Sequence, residues 1–246
     1  MKLGAKTDFS DIELAKRLST MFDFMEILYK PEVNKITSKI LLINATWVVH
    51  SLHYPDVNLS KDNGSVDKVK KVIDFSELIG ARKVIVHPGT ANNKQEIETL
   101  LKNYKQVVDY ARTKNVKILV ENIMYHTVVD SSTCFGKNPA EIEKLMEATG
   151  CGFVLDFSHA QSSSLSFKRN FTNVLDEYLK LSPDMFHLCD GMTGQPRDMH
   201  LPLGKGTFNI KQLCSLIGDK PVTLEVSPPT LDSFKQSKEF IRSLGY

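Results

Sequence analysis

The chain has 246 residues, of which 41% are hydrophobic, and its 31 basic and 29 acidic side chains give a formal net charge of +2. This apolar content suffices for a substantial core, and the balanced charge excludes a protein that binds polyanions through bulk positive charge, although a local basic rim can still bind nucleic acid. The longest apolar stretch, residues 40–49, is interrupted by Asn44 and Thr46 and is too short to span a bilayer.

The N-terminus and the cysteines indicate a cytoplasmic protein with no membrane association. Residues 1–18 pass from a strand pattern directly to a helix pattern and lack the apolar segment of a signal peptide. The cysteines are far apart and form no CxxC pair, which is typical of reduced thiols and not of a disulfide framework. They are Cys134, Cys151, Cys189 and Cys214.

Short apolar runs alternate with longer amphipathic segments along the whole chain. The runs predict eight strands at 2–7, 24–29, 47–53, 83–87, 117–122, 152–156, 185–190 and 222–227. The segments between and after them predict helices at 11–18, 65–81, 94–115, 139–150, 173–181, 208–218 and 231–244, with a weaker helix pattern at 31–40.

Strands that are each followed by a helix pair in parallel, because every crossover returns the chain to the same edge of the sheet. Eight such units in this length predict a single (β/α)8 TIM barrel domain over residues 1–246, with a doubly wound open α/β sheet as the alternative. The polar segment 161–167 follows the sixth strand and is expected to be a loop at the rim of the barrel.

Six consecutive strands end on a side chain that can bind metal. Because the C-terminal ends of barrel strands open onto the face that carries the chemistry, these side chains are expected to meet there. Carboxylates and imidazoles crowded together would repel and be poorly solvated unless cations lay among them. The six residues are His53, His87, Glu121, Asp156, His187 and Glu225.

Three further residues extend this set. His159 follows Asp156 by three positions, and Asp198 and His200 alternate in an extended loop, where their side chains project to the same side. We predict that these three bind an additional ion. His50 lies three residues before His53, so we expect it on the opposite face of the strand with a structural role, and His126 is expected at a solvated rim position.

A ligand set of His, Asp and Glu without Cys favours a catalytic site for zinc or a similar ion, with manganese, cobalt or magnesium as alternatives.

The motifs around these residues match a known family. They are His53 with Pro55 and the Asn-Leu pair at 58–59, HPG at 87–89, Glu-Asn at 121–122, D-x-x-H-A at 156–160, H-L-x-D at 187–190, D-x-H-x-x-x-G-x-G at 198–206 and Leu-Glu at 224–225. Together they resemble the xylose isomerase-like TIM barrels, and among these most closely the endonuclease IV family, whose members are zinc enzymes that cut DNA at abasic sites.

The resemblance implies a site for two to three zinc ions. His53, His87 and a bridging Glu121 would hold the first ion; Glu121, Asp156, His187 and Glu225 the second; His159, Asp198 and His200 the third. It implies hydrolysis of the phosphodiester 5′ to an abasic sugar by a hydroxide held on these ions, with Glu121 orienting the attacking water. Substrate contacts are predicted for Tyr54, Asn122 and Lys205. The predicted basic rim comprises Lys61, Lys137, Lys168, Arg169, Arg197 and Lys205.

A metal-dependent sugar or sugar-phosphate isomerase or epimerase is the competing hypothesis. A single ion on Glu121, Asp156, His187 and Glu225 would polarise the substrate carbonyl, while Glu121 and Glu225 exchange a proton from opposite faces. The predicted partner is therefore DNA with abasic sites or, in the alternative, a small sugar. No obligate protein partner is inferred.

Overall fold

Eight strands alternate with helices in the computed structural model, which describes residues 1–124 and 134–246. The strands are β1 (Lys2–Thr7), β2 (Phe24–Leu28), β3 (Trp47–His50), β4 (Lys83–Val86), β5 (Lys117–Glu121), β6 (Gly152–Asp156), β7 (Met185–Leu188) and β8 (Pro221–Leu224). The α-helices are α1 (Ile12–Ser19), α2 (Thr37–Ile40), α3 (Ser65–Leu78), α4 (Lys94–Thr113), α5 (Pro139–Thr149), α6 (Phe157–Ser166), α7 (Phe171–Lys180), α8 (Ile210–Ile217) and α9 (Leu231–Ser243). His126 lies outside the described residues.

The sheet closes into a barrel in the order β1 to β8, and every neighbouring pair, including β8 with β1, is parallel. The predicted (β/α)8 barrel is thereby confirmed, and the alternative of an open sheet is wrong. The weak helix pattern at 31–40 forms a 3-10 segment, Pro31–Ile36, followed by the short α2. No helix of the described residues is both long and apolar enough to cross a membrane. All four cysteines are buried free thiols.

Strand alternation divides the apolar side chains into two clusters. Outward-facing residues such as Met25, Val49 and Phe153 join the helices in a large outer core. A second, smaller cluster fills the barrel interior and consists of Phe24, Val48, Ile85, Leu119, Val154 and Met185. On β1 this layer is completed by Gly4, because a Cβ there would lie 2.3 Å from the Phe24 ring. The Phe24 ring thus occupies the space that a side chain on β1 would need.

Two residues farther along each strand, the inward-facing side chain is charged or an imidazole, since successive inward positions in a barrel strand are two apart. These eight residues form a layer at the C-terminal end of the barrel, which we call the mouth ring. Its members, in order from β1 to β8, are Lys6, Glu26, His50, His87, Glu121, Asp156, His187 and Glu225. Of these, His87 and Glu225 directly follow the last residues of β4 and β8. The alternation of the strands therefore delivers one polar side chain per strand to the same place.

The segment 161–167 is not the rim loop that we expected. Residues up to Ser166 belong to α6, which begins directly after β6 with Asp156 as its N-cap. Gln161 and the three serines that follow it are all buried. Tertiary packing and the cap residue thus override the weak helix propensity of a serine run.

Candidate functional site

Glu121 is the centre of the mouth ring. Its Oε2 lies 3.0 Å from His50 Nε2 and 3.1 Å from His87 Nε2, and its Oε1 lies 3.1 Å from His187 Nδ1. The Glu121 side chain is only 1% exposed. One buried carboxylate therefore connects two groups of potential ligands, and its bridging of two ions stays a prediction.

His50, and not His53, is the histidine that β3 contributes to this layer. The strand ends at His50, so alternation does not extend to His53, and the expectation that His50 faces away from the site is wrong. His53 is exposed, its Nδ1 lies 3.1 Å from the carbonyl oxygen of Tyr54, and its ring stacks 5.5 Å from that of His87. His53 thus lies above the ring at the edge of the cavity.

Glu26 is a member of the site that the ends of the apolar runs did not reveal. It is completely buried, and its Oε2 lies 3.0 Å from His187 Nε2 and accepts a hydrogen bond of 2.7 Å from Thr223 Oγ1. Because Glu26 engages Nε2 of His187, the other nitrogen, Nδ1, points to Glu121 and Glu225. A carboxylate on the far nitrogen is the usual means of fixing a metal-binding histidine.

Lys6 is the second residue that the apolar runs did not reveal. Its ammonium forms a hydrogen bond with Glu225 Oε1 and lies 3.6 Å from Glu26 Oε1. Burial disfavours the charged form, but the carboxylates of Glu225 and Glu26 prevail and raise the pKa of Lys6 above its usual value. Lys6 is therefore a permanent positive charge within the mouth ring.

Asp156 is held from both sides. Its Oδ1 caps α6 by accepting a 2.7 Å hydrogen bond from the backbone N–H of His159. Asn122 donates from Nδ2 to the carbonyl oxygen of Asp156 at 2.9 Å and accepts from the Asp156 N–H at 2.7 Å. Asn122 is 0% exposed, so it positions Asp156, whereas we had predicted a substrate contact for it.

His159, Asp198 and His200 form a second set of polar residues next to the ring. The Nδ1 of His159 donates to the carbonyl oxygen of Asn122 at 2.8 Å, which leaves Nε2 directed at Asp198 Oδ2, 3.4 Å away. The same Asp198 oxygen accepts a hydrogen bond from His200 Nε2, and Ser158 Oγ donates to the other Asp198 oxygen at 2.7 Å. The structure brings these three predicted residues together.

The loop that carries Asp198 and His200 is fastened by Asp190. This buried carboxylate accepts four backbone N–H hydrogen bonds, at 2.8 to 3.2 Å, from Gly191, Gly204, Gly206 and Phe208. His200 has a φ of 50°, a left-handed conformation that costs a non-glycine residue energy and is often found at functional sites. Asp190 thus fixes the loop without facing the ring.

The charges within the site are distributed unevenly. Burial lowers the pKa of His87 to about 3 despite the nearby Glu121, so its imidazole is neutral and free to bind a cation. Burial also opposes the charged forms of His159 and His187, but Asp156 next to His159, and Glu225 and Glu26 next to His187, raise the pKa of both. Burial raises the pKa of Asp156 to about 6, and nearby acids add to this effect.

Divalent metal fits this arrangement. Among the described residues, three groups of buried or partly buried ligands have their donor atoms within 4.8 Å of one another: His50, His87 and Glu121; Glu121, Asp156 and His159; Glu26, His187 and Glu225. Imidazole and carboxylate donors of this kind suit zinc, manganese and related ions. Members of all three groups line a cavity of about 510 Å³ at the mouth of the barrel.

The predicted substrate residues differ in position. Tyr54 lines the cavity, next to His53. Lys205 is exposed and is not part of the cavity wall, and its substrate contact stays a prediction. Of the predicted basic rim, Lys61 pairs with Glu96, Lys137 with Glu141 and Arg169 with Glu177, which reduces the positive charge available to a polyanion.

Strand alternation accounts for Glu26, His50 and Lys6 once the closed barrel shows which residues face inward. Counting two positions on from Phe24 and Val48, which face the barrel interior, leads to Glu26 and His50. The same count from Gly4 leads to Lys6. The last polar residue of each apolar run predicts the inward-facing residue less well, because it is the wrong residue wherever the run continues beyond the strand.

Comparison with known proteins places the chain in a family. A family model described as the xylose isomerase-like TIM barrel matches residues 16–244. The chain belongs to this family. A relative named probable endonuclease 4, from Thermoplasma volcanium, is 24% identical over 225 residues, which cover 86% of this chain and 75% of the relative.

Solved structures with this fold include proteins of two named activities. The structure of a D-tagatose 3-epimerase-like protein superposes with a TM-score of 0.79 at 18% identity, covering 99% of this chain and 97% of that one. Endonuclease IV from Thermus thermophilus superposes with a TM-score of 0.71 at 20% identity, covering 99% and 98%. At these identities the similarity shows a shared fold.

The positions of His50 and His53 lead to a direct test. We expect His50→Ala to weaken zinc binding by roughly 10- to 100-fold or more, because it removes a donor that contacts Glu121, whereas His53→Ala should change it less than about threefold. Competition with a chelator measures both variants. The reverse order of effects would contradict the placement of His50 in the mouth ring.

Metal uptake should weaken as the pH falls. The pKa values of His159 and His187 are raised above 6.5, so at neutral pH a cation that binds them must displace protons. We expect zinc affinity to increase by about tenfold per pH unit for each displaced proton between about pH 6 and 8. Titration calorimetry in buffers of different ionisation enthalpy counts the released protons, and an affinity independent of pH, without proton release, would contradict this electrostatic description.

Proposed function

We propose that the chain is a metal-dependent phosphodiesterase of the endonuclease IV type, which cleaves DNA at abasic sites. The observation that carries the proposal is the position of Glu121, which contacts His50 and His87 on one side and His187 on the other. A shared carboxylate between two ligand groups suits a site for more than one divalent ion, as in two-metal hydrolases. His159, Asp198 and His200 adjoin it and provide for another ion.

The first proposed ligand set is a group that the geometry brings together, and the other two sets follow the family resemblance. His50, His87 and Glu121 would hold the first ion, with His50 in place of the predicted His53. The second would be held by Glu121, Asp156, His187 and Glu225, and the third by His159, Asp198 and His200. Zinc is the proposed ion, with manganese, cobalt or magnesium as alternatives. When bound, such ions supply Lewis acidity that neutralises phosphoryl oxygens and acidifies water.

The chain's own residues orient this site. Glu121 is aligned by three imidazoles, so that its carboxylate is fixed next to the place of reaction. Asn122 holds the backbone of Asp156, and Ser158 holds the carboxylate of Asp198. Tyr54 lies at the cavity edge, where its ring can contact a nucleotide. The ions would thus meet preorganised ligands without reorganising the protein.

A sugar or sugar-phosphate epimerase is the second candidate, and two observations favour it. The cavity of about 510 Å³ has the size of a small-molecule site, and both Glu121 and Glu225 lie on its wall. In addition, Lys61, Lys137 and Arg169 are paired with acids and contribute little to a DNA-binding rim. In this mechanism Glu121 and Glu225 would remove and return a proton at the carbon next to a carbonyl.

A cleavage assay distinguishes the candidates. We expect the zinc-loaded protein to cut a DNA duplex with one tetrahydrofuran abasic analogue on the 5′ side of the lesion. Glu121→Gln should reduce the rate by at least about 10³-fold, because it removes the charge shared by the two ligand groups. The matched control Glu177→Gln alters an exposed acid on α7 and should leave the rate within about twofold of the wild type.

The same preparations are then tested on a panel of ketoses. No cleavage with any divalent ion, together with a ketose epimerisation that Glu121→Gln abolishes, would overturn the nuclease proposal in favour of the epimerase. The absence of both activities with every ion and substrate tried would contradict both candidates.

A further inference from the structure

Lys6 is the one member of the mouth ring that carries a fixed positive charge. It lies on β1, between the strands that contribute Glu26 and Glu225. In the β1–β2 register Lys6 is directly opposite Glu26, and in the β1–β8 register Ala5 is opposite Leu224, which places Lys6 next to Glu225. The barrel topology therefore sets a lysine between two inward-facing glutamates.

The contacts follow this topology. The ammonium donates to Glu225 Oε1 and lies 3.6 Å from Glu26 Oε1. Both glutamates are almost fully buried, at 0% exposure for Glu26 and 4% for Glu225, and the lysine side chain is 18% exposed. Glu26 Oε1 is buried and accepts no hydrogen bond from the described residues, and the ammonium faces this oxygen at 3.6 Å, while His187 and Thr223 engage Oε2.

The two carboxylates also belong, with His187, to one of the three groups whose donor atoms are close enough for a metal ion. A lysine ammonium is a compact point charge, and it already lies on both carboxylates of this group. A divalent ion bound there would experience strong repulsion from a positive charge a few ångströms away in a buried setting.

We propose that the Lys6 ammonium takes the place of a divalent ion in the group formed by Glu26, His187 and Glu225. It excludes a divalent ion from the Glu26 side and thereby confines metal binding to the Glu121 side of the mouth ring. Lys6 thereby acts as a positioning residue, which engages Glu225 Oε1 and limits the number of ions. This inference rests on the metal-binding part of the proposed function.

Metal content and affinity test the inference without any assay of activity. Purified wild type, Lys6→Met and Lys6→Arg are saturated with zinc and gel-filtered, after which bound zinc is measured by mass spectrometry and affinity by chelator competition. Methionine retains most of the length of the side chain and removes the charge. We expect Lys6→Met to bind the weakest ion at least about tenfold more tightly or to retain one additional ion, and Lys6→Arg to match the wild type.

Lys30→Met is the matched control. Lys30 also forms an ion pair near the mouth, with Asp8 at 2.7 Å, but it lies outside the mouth ring. We expect Lys30→Met to bind zinc with the same count and affinity as the wild type. The inference would be overturned if Lys6→Met bound the same number of zinc ions as the wild type with the same affinity. It would also be overturned if Lys6→Met folded but lost zinc. A wild type that binds no divalent ion would contradict the proposed function itself, so the two failures are distinguishable.

If Lys6→Met does not fold, the double variant Lys6→Met/Glu26→Gln tests the inference in its place. It removes one buried charge of each sign, so we expect it to fold and to bind zinc within about threefold of the wild-type affinity. Failure of the double variant to fold, or zinc binding that differs more than this from the wild type, would overturn the inference.

Discussion

Closure of the barrel is the constraint on which the rest of the site depends. Because eight parallel strands each direct one inward side chain to the same end, their polar residues meet whether or not their charges are compatible. Here four of the eight are carboxylates, Glu26, Glu121, Asp156 and Glu225, and all are nearly inaccessible to water. Buried carboxylates require partners, and the structure provides imidazoles, one lysine and a ligand geometry suited to divalent ions.

The negative charges of these carboxylates are not compensated in the same way all around the mouth ring. On the β8, β1 and β2 side, Lys6 lies between Glu225 and Glu26, so this arc contains its own cation. On the opposite side, Glu121 contacts the imidazoles of His50, His87 and His187, of which His87 is neutral. A divalent ion at Glu121 would replace protons of the neighbouring imidazoles, whereas Lys6 stays between Glu225 and Glu26. Both proposed mechanisms require a cation next to a carboxylate that is already oriented, and Glu121 is such a carboxylate.

Sequence patterns predicted the barrel, and the structure brings several of the predicted site residues together. An apolar run that ends with its strand, such as the run 152–156, identifies the mouth residue directly, because Asp156 is the last residue of both. The run at 47–53 continues beyond β3, and the true inward residue, His50, was passed over for His53. Lys6 and Glu26 escaped notice because a charged residue inside a strand is usually solvated, and only the closed topology shows that these two face inward. The helix at α6 depends on its cap and on burial of its serines, neither of which is visible in residue preferences.

Anomalous diffraction from crystals soaked in zinc tests the central claim most directly. We expect a strong zinc peak within about 2.0 to 2.2 Å of a Glu121 carboxylate oxygen, with His50 and His87 among its ligands, and no peak between Lys6 and Glu26. Zinc found only at surface histidines, with no peak within ligand distance of Glu121, would contradict this claim.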